Sequence, residues 1–175
     1  AYNWRSDWLI TTAGNGTGGH IAGEYLRQRT GIDIVHVPYR GSALAVNDAI
    51  AGHVQLVLDP LAGQYVRDGR LHGLAYSGAR SAPDLPGVPS IDEAGVPKWE
   101  ATNFFLAAVP RNTPKPVVDA LVKAYAEVAS RPAVVKELQG LGVEILPLRQ
   151  QQIAELIKAE IGLNNRVIEA AQIRS

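Results

Sequence analysis

A glycine-rich segment that runs straight into an amphipathic pattern is the part of this sequence best suited to chemistry. Residues 14–19 read Gly-Asn-Gly-Thr-Gly-Gly, and His20 and apolar residues at helical spacing follow. A loop that opens into a helix points free backbone N–H groups at one place, and the helix dipole adds positive potential there. The segment therefore predicts an anion site at the start of a helix.

A second junction of this kind follows about twenty residues later. Residues 39–42 read Tyr-Arg-Gly-Ser, between a strand predicted over 32–39 and a helix predicted over 43–51. Ser42 is predicted to be the N-cap of that helix. Arg40 has the geometry to bind a carboxylate through two parallel hydrogen bonds, but a solvated turn residue fits equally well. Asp59 ends a strand predicted over 54–59, and either ligand binding or capping of the turn before Pro60 would suit it.

The glycine spacing also fits other interpretations. Gly14, Gly16 and Gly19 match the dinucleotide-binding pattern of a strand, a glycine turn and a helix. That pattern requires an acidic residue at the end of the next strand, where this chain has Tyr39 and Arg40, which would suit a 2′-phosphate at best. A tight turn that needs glycine for steric reasons is a further alternative.

No catalytic constellation is predicted. None of the four histidines is paired at metal-ligand spacing on one helix face, and no Ser-His-Asp order is present. His20 is expected either to close the glycine loop or to touch a ligand. We therefore expect no metal site and no cofactor.

Composition narrows the class of protein. The chain has 175 residues, 46% of them apolar, so it is long enough to bury a core. Its 17 basic and 17 acidic residues balance, so the chain has no net positive charge that would favour binding to nucleic acid. No stretch approaches the length of a membrane-spanning helix. An anion must therefore be held by local geometry.

The remaining pattern predicts an α/β chain. Besides those above, strands are predicted over 9–12, 71–76, 102–109 and 143–146, a capped helical turn over 90–94, and helices over 19–29, 61–68, 113–130 (with Thr113 as N-cap), 132–138 and 150–171. Alternating strands and helices imply parallel pairing, and ligands then bind beyond the carboxyl ends of the strands. The glycine loop, residues 39–42 and Asp59 all lie at such ends.

These motifs resemble a known family. Residues 12–24 (Thr-Ala-Gly-Asn-Gly-Thr-Gly-Gly-His-Ile-Ala-Gly-Glu) are similar to the second-lobe loop of the tripartite tricarboxylate transporter substrate-binding proteins, the Bug or TctC family of periplasmic solute receptors. Residues 36–42 (His-Val-Pro-Tyr-Arg-Gly-Ser) resemble its most recognisable signature. Further segments with this similarity are 52–56, 69–75, 81–90, 93–97, 113–114 and 132–134.

The resemblance implies an α/β, type II periplasmic-binding-protein-like fold, with a complete second lobe over 9–109 and a helical segment over 110–175 that returns to a partial first lobe. It implies a periplasmic receptor, not an enzyme, that delivers a small carboxylate (a di- or tricarboxylate or an amino acid) to the membrane components of a tripartite tricarboxylate transporter. The ligand-binding residues that it implies are Asn15, Gly16, Thr17, His20, Tyr39, Arg40, Gly41, Ser42, Ala43 and Asp59.

One departure from the family affects these expectations. The N-terminal region that supplies most of the first lobe has no counterpart here, so we expect a truncated receptor with weakened binding. The uncovered surface would be apolar and would favour a homodimer. Two alternatives stay open: an NADP-type dinucleotide-binding enzyme, and an interaction or sensor module without a transport role.

Overall fold

Short parallel strands alternate with helices in the first part of the chain, and helices dominate the last part. The computed structural model describes residues 8–77, 84–141, 143 and 145–173. The elements in chain order are β1 (Trp8–Thr12), α1 (Gly18–Thr30), β2 (Ile34–Pro38), α2 (Ser42–Ile50), β3 (Leu56–Val57), α3 (Ala62–Arg67), α4 (Lys115–Ala129), α5 (Pro132–Gly140) and α6 (Gln150–Ala171).

The sheet has β1 at its centre. Its order is β2-β1-β3, and both pairings are parallel, with Ile10 opposite His36 on one side and Leu56 on the other. Ile10, Thr11 and Thr12 are buried, as a central strand with helices packed around it requires. The chain runs from β1 through α1 to β2, and then through α2 to β3 on the other side of β1. The predicted parallel α/β arrangement is thus confirmed for these strands.

The main apolar cluster joins α1 to α6. Ile21, Ala22 and Tyr25 lie on one face of α1 and pack with Ala101 and with two residues of α6, Leu163 and Val167. The helical spacing of these residues is what brings the two faces together. The last helix therefore packs against the glycine-loop helix, and the predicted boundary between 9–109 and 110–175 stays a prediction.

Two helix starts differ from their predictions. Gly41 is the N-cap of α2, so Ser42 is the first helical residue and not the cap. Likewise, Pro114 is the N-cap of α4, because the Thr113 hydroxyl donates to Pro110 O at 2.8 Å instead. At the other end of a helix, Gly31 closes α1 in the left-handed conformation, with a φ of 69°.

Several predicted strands are absent from the described residues. Residues 71–76 contribute a single bridge between Tyr76 and Ser90, and residues 102–109 lie outside the sheet with Phe105 84% exposed. Val143, Ile145 and Leu146 are likewise not in a strand. An apolar run forms a strand only where a neighbouring strand pairs with its backbone, and within the described residues these segments form no pairing beyond the bridge at Tyr76.

The capped turn of residues 90–94 forms as expected. The backbone N–H of Ser90 donates to the Glu93 carboxylate at 2.8 Å, and the N–H of Glu93 donates to the Ser90 hydroxyl at 3.3 Å. These reciprocal bonds are those of a capping box, although the segment is a turn and not a helix. Residues 78–83 of the preceding loop lie outside the described residues.

Candidate anion site at the carboxyl edge of the sheet

The carboxyl ends of the strands bring the predicted loops together. Beyond β1, the N–H of Gly41 donates to Ala13 O at 3.0 Å, and the N–H of Tyr39 donates to Thr12 O at 3.2 Å. On the other side, the N–H of Leu58 donates to Thr11 O at 3.0 Å. These bonds bring the segments that precede α1 and α2 together at the carboxyl edge of the sheet, the position where α/β sheets bind ligands.

The N-terminus of α1 has backbone donors that no described residue accepts. Thr17 is the N-cap, but its hydroxyl donates back to Gly14 O at 2.8 Å and does not bond the helix. The first helical bond runs from the N–H of Ile21 to Thr17 O at 3.0 Å. Within the described residues, the N–H groups of Gly18 and Gly19 have no hydrogen-bond acceptor, so they are available to an anion.

Glycine is required where α1 meets the sheet. A Cβ on Gly19 would lie 2.5 Å from Leu58 O and 3.3 Å from the Cβ of Thr12. Gly14 has a φ of +152°, and a Cβ there would lie 3.2 Å from Tyr39 O. The steric role considered for these glycines is therefore real, and it is what lets the helix start lie directly against the strand ends.

The N-terminus of α2 offers donors in the same way. Gly41 has a φ of +120° and no side chain that could cap the helix. The start of α2 therefore presents only backbone N–H groups. The first helical bond runs from the N–H of Ala45 to Gly41 O at 3.4 Å. The N–H groups of Ser42 and Ala43 have no acceptor in the part of the chain that the structure describes.

Two histidines lie beneath the glycine loop. The rings of His20 and His36 stack with centroids 3.7 Å apart and planes inclined by 13°. Burial lowers the pKa of His36 to about 4, helped by the neighbouring His20, and burial also lowers the pKa of His20, while Glu24 opposes both effects. Both rings are therefore neutral at pH 7.

Some of the predicted ligand residues are engaged within the protein. The N–H of Gly16 donates to Nδ1 of His20 at 3.1 Å, and the Tyr39 hydroxyl donates to the carboxylate of Asp48. Accepting that bond lowers the pKa of Asp48, and donating it raises the pKa of Tyr39. Asp59 accepts the N–H of Leu61 at 2.9 Å, which is the capping role considered for it.

Other predicted ligand residues remain accessible. Asn15, Arg40 and Ala43 are exposed, and Arg40 forms no ion pair with any described residue. Ser42 and Gly41 are partly exposed at the start of α2. The structure thus gathers the predicted set at one edge, while ligand contact by each member stays a prediction.

Asn103 is a neighbour of the site that the sequence did not indicate. Its side-chain amide lies so close to Gly18 that a Cβ there would overlap it. It belongs to the segment predicted as a strand, far from the glycine loop along the chain. No local motif connects Asn103 to α1, so only the tertiary structure reveals this contact.

Comparison with known proteins identifies the family. The sequence profile of the tripartite tricarboxylate transporter family receptors (TctC) matches residues 9–173. The chain belongs to this family. A relative from Pseudomonas knackmussii, a UPF0065 protein in the clcB-clcD intergenic region, is 34% identical over 85% of this chain and 90% of its own length. The UPF0065 protein in the tcbD-tcbE intergenic region of a Pseudomonas species is also 34% identical, over 86% of this chain and 46% of its own.

Solved structures of similar proteins have the same fold. R. palustris Rpa4515 with adipate superimposes with a TM-score of 0.84 at 30% identity, over 97% of this chain and 57% of that one. The periplasmic binding protein BugD gives a TM-score of 0.71 at 23% identity, over 95% and 57%. The type II periplasmic-binding-protein-like fold is therefore confirmed. This chain spans about half the length of several of the proteins it matches.

The TctC assignment also bears on the alternatives. The family consists of receptors of tripartite tricarboxylate transporters. The match does not favour the dinucleotide-binding interpretation of the glycine loop. Among the described residues, no helix is long and apolar enough to cross a bilayer.

Proposed function

We propose that this TctC chain binds a small organic carboxylate at the paired N-termini of α1 and α2. The observation that carries the proposal is that, among the described residues, the backbone N–H groups of Gly18, Gly19, Ser42 and Ala43 at the starts of these two helices have no hydrogen-bond acceptor. Backbone donors and helix dipoles bind a carboxylate without net positive charge, which this chain does not have.

The similar protein Rpa4515 supports the class of ligand. Its structure contains adipate, a linear dicarboxylate, and it is 30% identical to this chain over 97% of the chain's length. Arg40 is exposed and directly precedes Gly41, the N-cap of α2, and we expect its guanidinium group to pair with a second carboxylate. We therefore expect linear dicarboxylates to be the first ligands to test.

The wider role follows from the family. We propose that the chain acts in the periplasm and passes its carboxylate to the membrane components of a tripartite tricarboxylate transporter. The proposal includes no reaction on the ligand, since the site consists of backbone donors and neutral imidazoles and not of an activated nucleophile.

Calorimetry on the full chain tests ligand class. We expect heat of binding from linear dicarboxylates of increasing length, adipate among them, and none from dimethyl adipate, which lacks the charged carboxylates. NADP, titrated in parallel, tests the alternative. Saturable binding of NADP with no binding of any carboxylate would overturn the proposal.

A proline substitution tests the backbone donor at α2. Ser42 is the first helical residue, so Ser42→Pro removes its N–H at the position where proline is best tolerated in a helix. Loss of one hydrogen bond to a charged group should weaken adipate binding about 10- to 100-fold. Ser42→Ala is the matched control, because it removes the hydroxyl and keeps the N–H. Equal weakening in both variants would show that the hydroxyl, and not the backbone, binds the ligand.

A further inference from the structure

His20 links the glycine loop to the buried side of the site. Its side chain lies in the first turn of α1, the residue is only 7% exposed, and its Nδ1 accepts the N–H of Gly16 at 3.1 Å. Because a backbone N–H can only donate, Nδ1 must be unprotonated, and the single ring proton of the neutral form is on Nε2. The contact therefore exists only while His20 is neutral.

The partner ring secures the same loop from β2. Nε2 of His36 lies 2.7 Å from the hydroxyl of Thr12, which in turn lies 3.2 Å from Gly14 O. Gly14 O also accepts the hydroxyl of Thr17 at 2.8 Å. The stacked rings thus complete a connected set of polar contacts that runs from β2 through β1 and the loop to α1.

This arrangement fixes the direction in which the backbone N–H groups of the glycine loop point. With its N–H bound to His20, Gly16 points its donor inward, and the chain then enters α1 with the N–H groups of Gly18 and Gly19 unpartnered within the described residues. A loop without the inward bond would be free to turn its amides in other directions. Preorganised donors are what make an anion site effective.

We propose that His20 is a positioning residue of the anion site: its neutral imidazole holds Gly16 inward and so keeps the start of α1 open to a carboxylate. This inference rests on the proposed carboxylate binding. It assigns His20 a role through the loop, in place of the direct ligand contact that the family resemblance implied.

The charged surroundings determine how acid acts on this pair. Glu24 of α1, whose carboxylate pairs with Arg27 at 2.8 Å, acts on both rings, His20 also acts on His36, and β1 contributes the uncharged Thr12. Protonation of His20 turns Nδ1 into a donor that faces another donor, so the bond to Gly16 is lost. Acid should therefore release the loop and weaken anion binding.

The sign of the stability change follows from the lowered pKa values. An unfolded histidine takes up its proton near pH 6.5, whereas His36 in the folded chain does so at about 4. Between these values the unfolded state binds more protons, so folding stability falls as the pH drops from 6.5 toward 4. Above pH 6.5 the contribution of this neutral histidine to folding stability is fully present.

Nuclear magnetic resonance on the full chain tests the role of His20 without any ligand. At pH 7 we expect the nitrogen shifts of His20 to report an unprotonated Nδ1 and a protonated Nε2. The amide proton shift of Gly16 should titrate with His20, at a midpoint below 6.5. A neutral ring with its proton on Nδ1 would overturn the proposal, and this measurement needs no variant.

Two substitutions separate positioning from packing. His20→Asn places a carbonyl oxygen near the position of Nδ1 and keeps the acceptor, whereas His20→Phe keeps the stacked ring and removes the acceptor. We expect His20→Phe to speed exchange of the Gly16 amide proton about tenfold, the factor that corresponds to about 1.4 kcal/mol, and to weaken adipate binding by a similar factor. His20→Asn should stay within about threefold of the wild type and lose the pH dependence of the Gly16 shift.

The outcomes distinguish this inference from the proposed function. Unchanged Gly16 exchange in His20→Phe, or greater damage from His20→Asn than from His20→Phe, would mean that the ring acts by packing alone. If the wild type binds no carboxylate, the proposed function fails, while the tautomer and the Gly16 amide still decide whether His20 holds the loop.

Discussion

Gly19 is the residue at which the site depends most directly on the absence of a side chain. Its backbone lies against Leu58 O, just after β3, and against Thr12, the last residue of β1, so an added Cβ would meet atoms that cannot move aside cheaply. We expect Gly19→Ala to lower the free energy of unfolding by about 2 kcal/mol, the usual cost of overpacking less a small gain in helix propensity. Urea denaturation followed by circular dichroism measures this change.

Gly23 provides the matched control on the same helix. A Cβ there would lie 3.5 Å from Cδ1 of Ile10, which is an ordinary contact. Gly23→Ala should therefore stabilise the chain by about 0.5–1 kcal/mol through helix propensity. Equal effects of the two substitutions would contradict the close approach of α1 to the strand ends.

At the residue scale, backbone features were more predictable than side-chain roles. The glycine spacing predicted a helix start at the strand ends, because only glycine permits that approach. The N-cap assigned to Ser42 was wrong, since Gly41 with its positive φ takes that position. The bond of Tyr39 to Asp48 depends on how α2 folds back beside its own loop, which no local pattern shows.

The packing of α6 on α1 makes a prediction at the scale of elements. Leu163 is 3% exposed in the cluster that joins the two helices, whereas Ile161 on the same helix is 55% exposed. Leu163→Ala should lower the free energy of unfolding by roughly 2–4 kcal/mol, and Ile161→Ala by less than about 1 kcal/mol.

Denaturation of the two variants by urea, with the midpoint and slope compared, checks this difference. A small effect of Leu163→Ala would mean that α6 does not contribute to the cooperative core. Since α1 carries the glycine loop, loss of this packing should also loosen the anion site, which adipate titration of the variant would detect.

At the element scale, helices were predicted better than strands. The long helix predicted over 150–171 forms over Gln150–Ala171, since a helix makes its backbone bonds within its own segment. The strand predicted over 102–109 is absent, because a strand needs a neighbour that sequence alone does not supply. The same dependence shortens the strand predicted over 54–59 to Leu56–Val57.

At the scale of the whole molecule, the exposed apolar residues of α4 are notable. Leu121, Val122 and Tyr125 are 49%, 63% and 62% exposed, and the helix packs against little besides α5 among the described elements. Such a face suits contact with another protein surface. The homodimer inferred from the sequence stays a prediction, and the family match does not bear on it.

The claim that a carboxylate binds at the starts of α1 and α2 can be tested on the protein in solution. Amide spectra of the isotopically labelled full chain, recorded as adipate is added, report on each backbone N–H group separately. We predict that the largest shifts occur at the N–H groups of Gly18, Gly19, Ser42 and Ala43 and saturate together. Saturable shifts confined to other parts of the chain, or no shifts at all from any linear dicarboxylate, would contradict the claim.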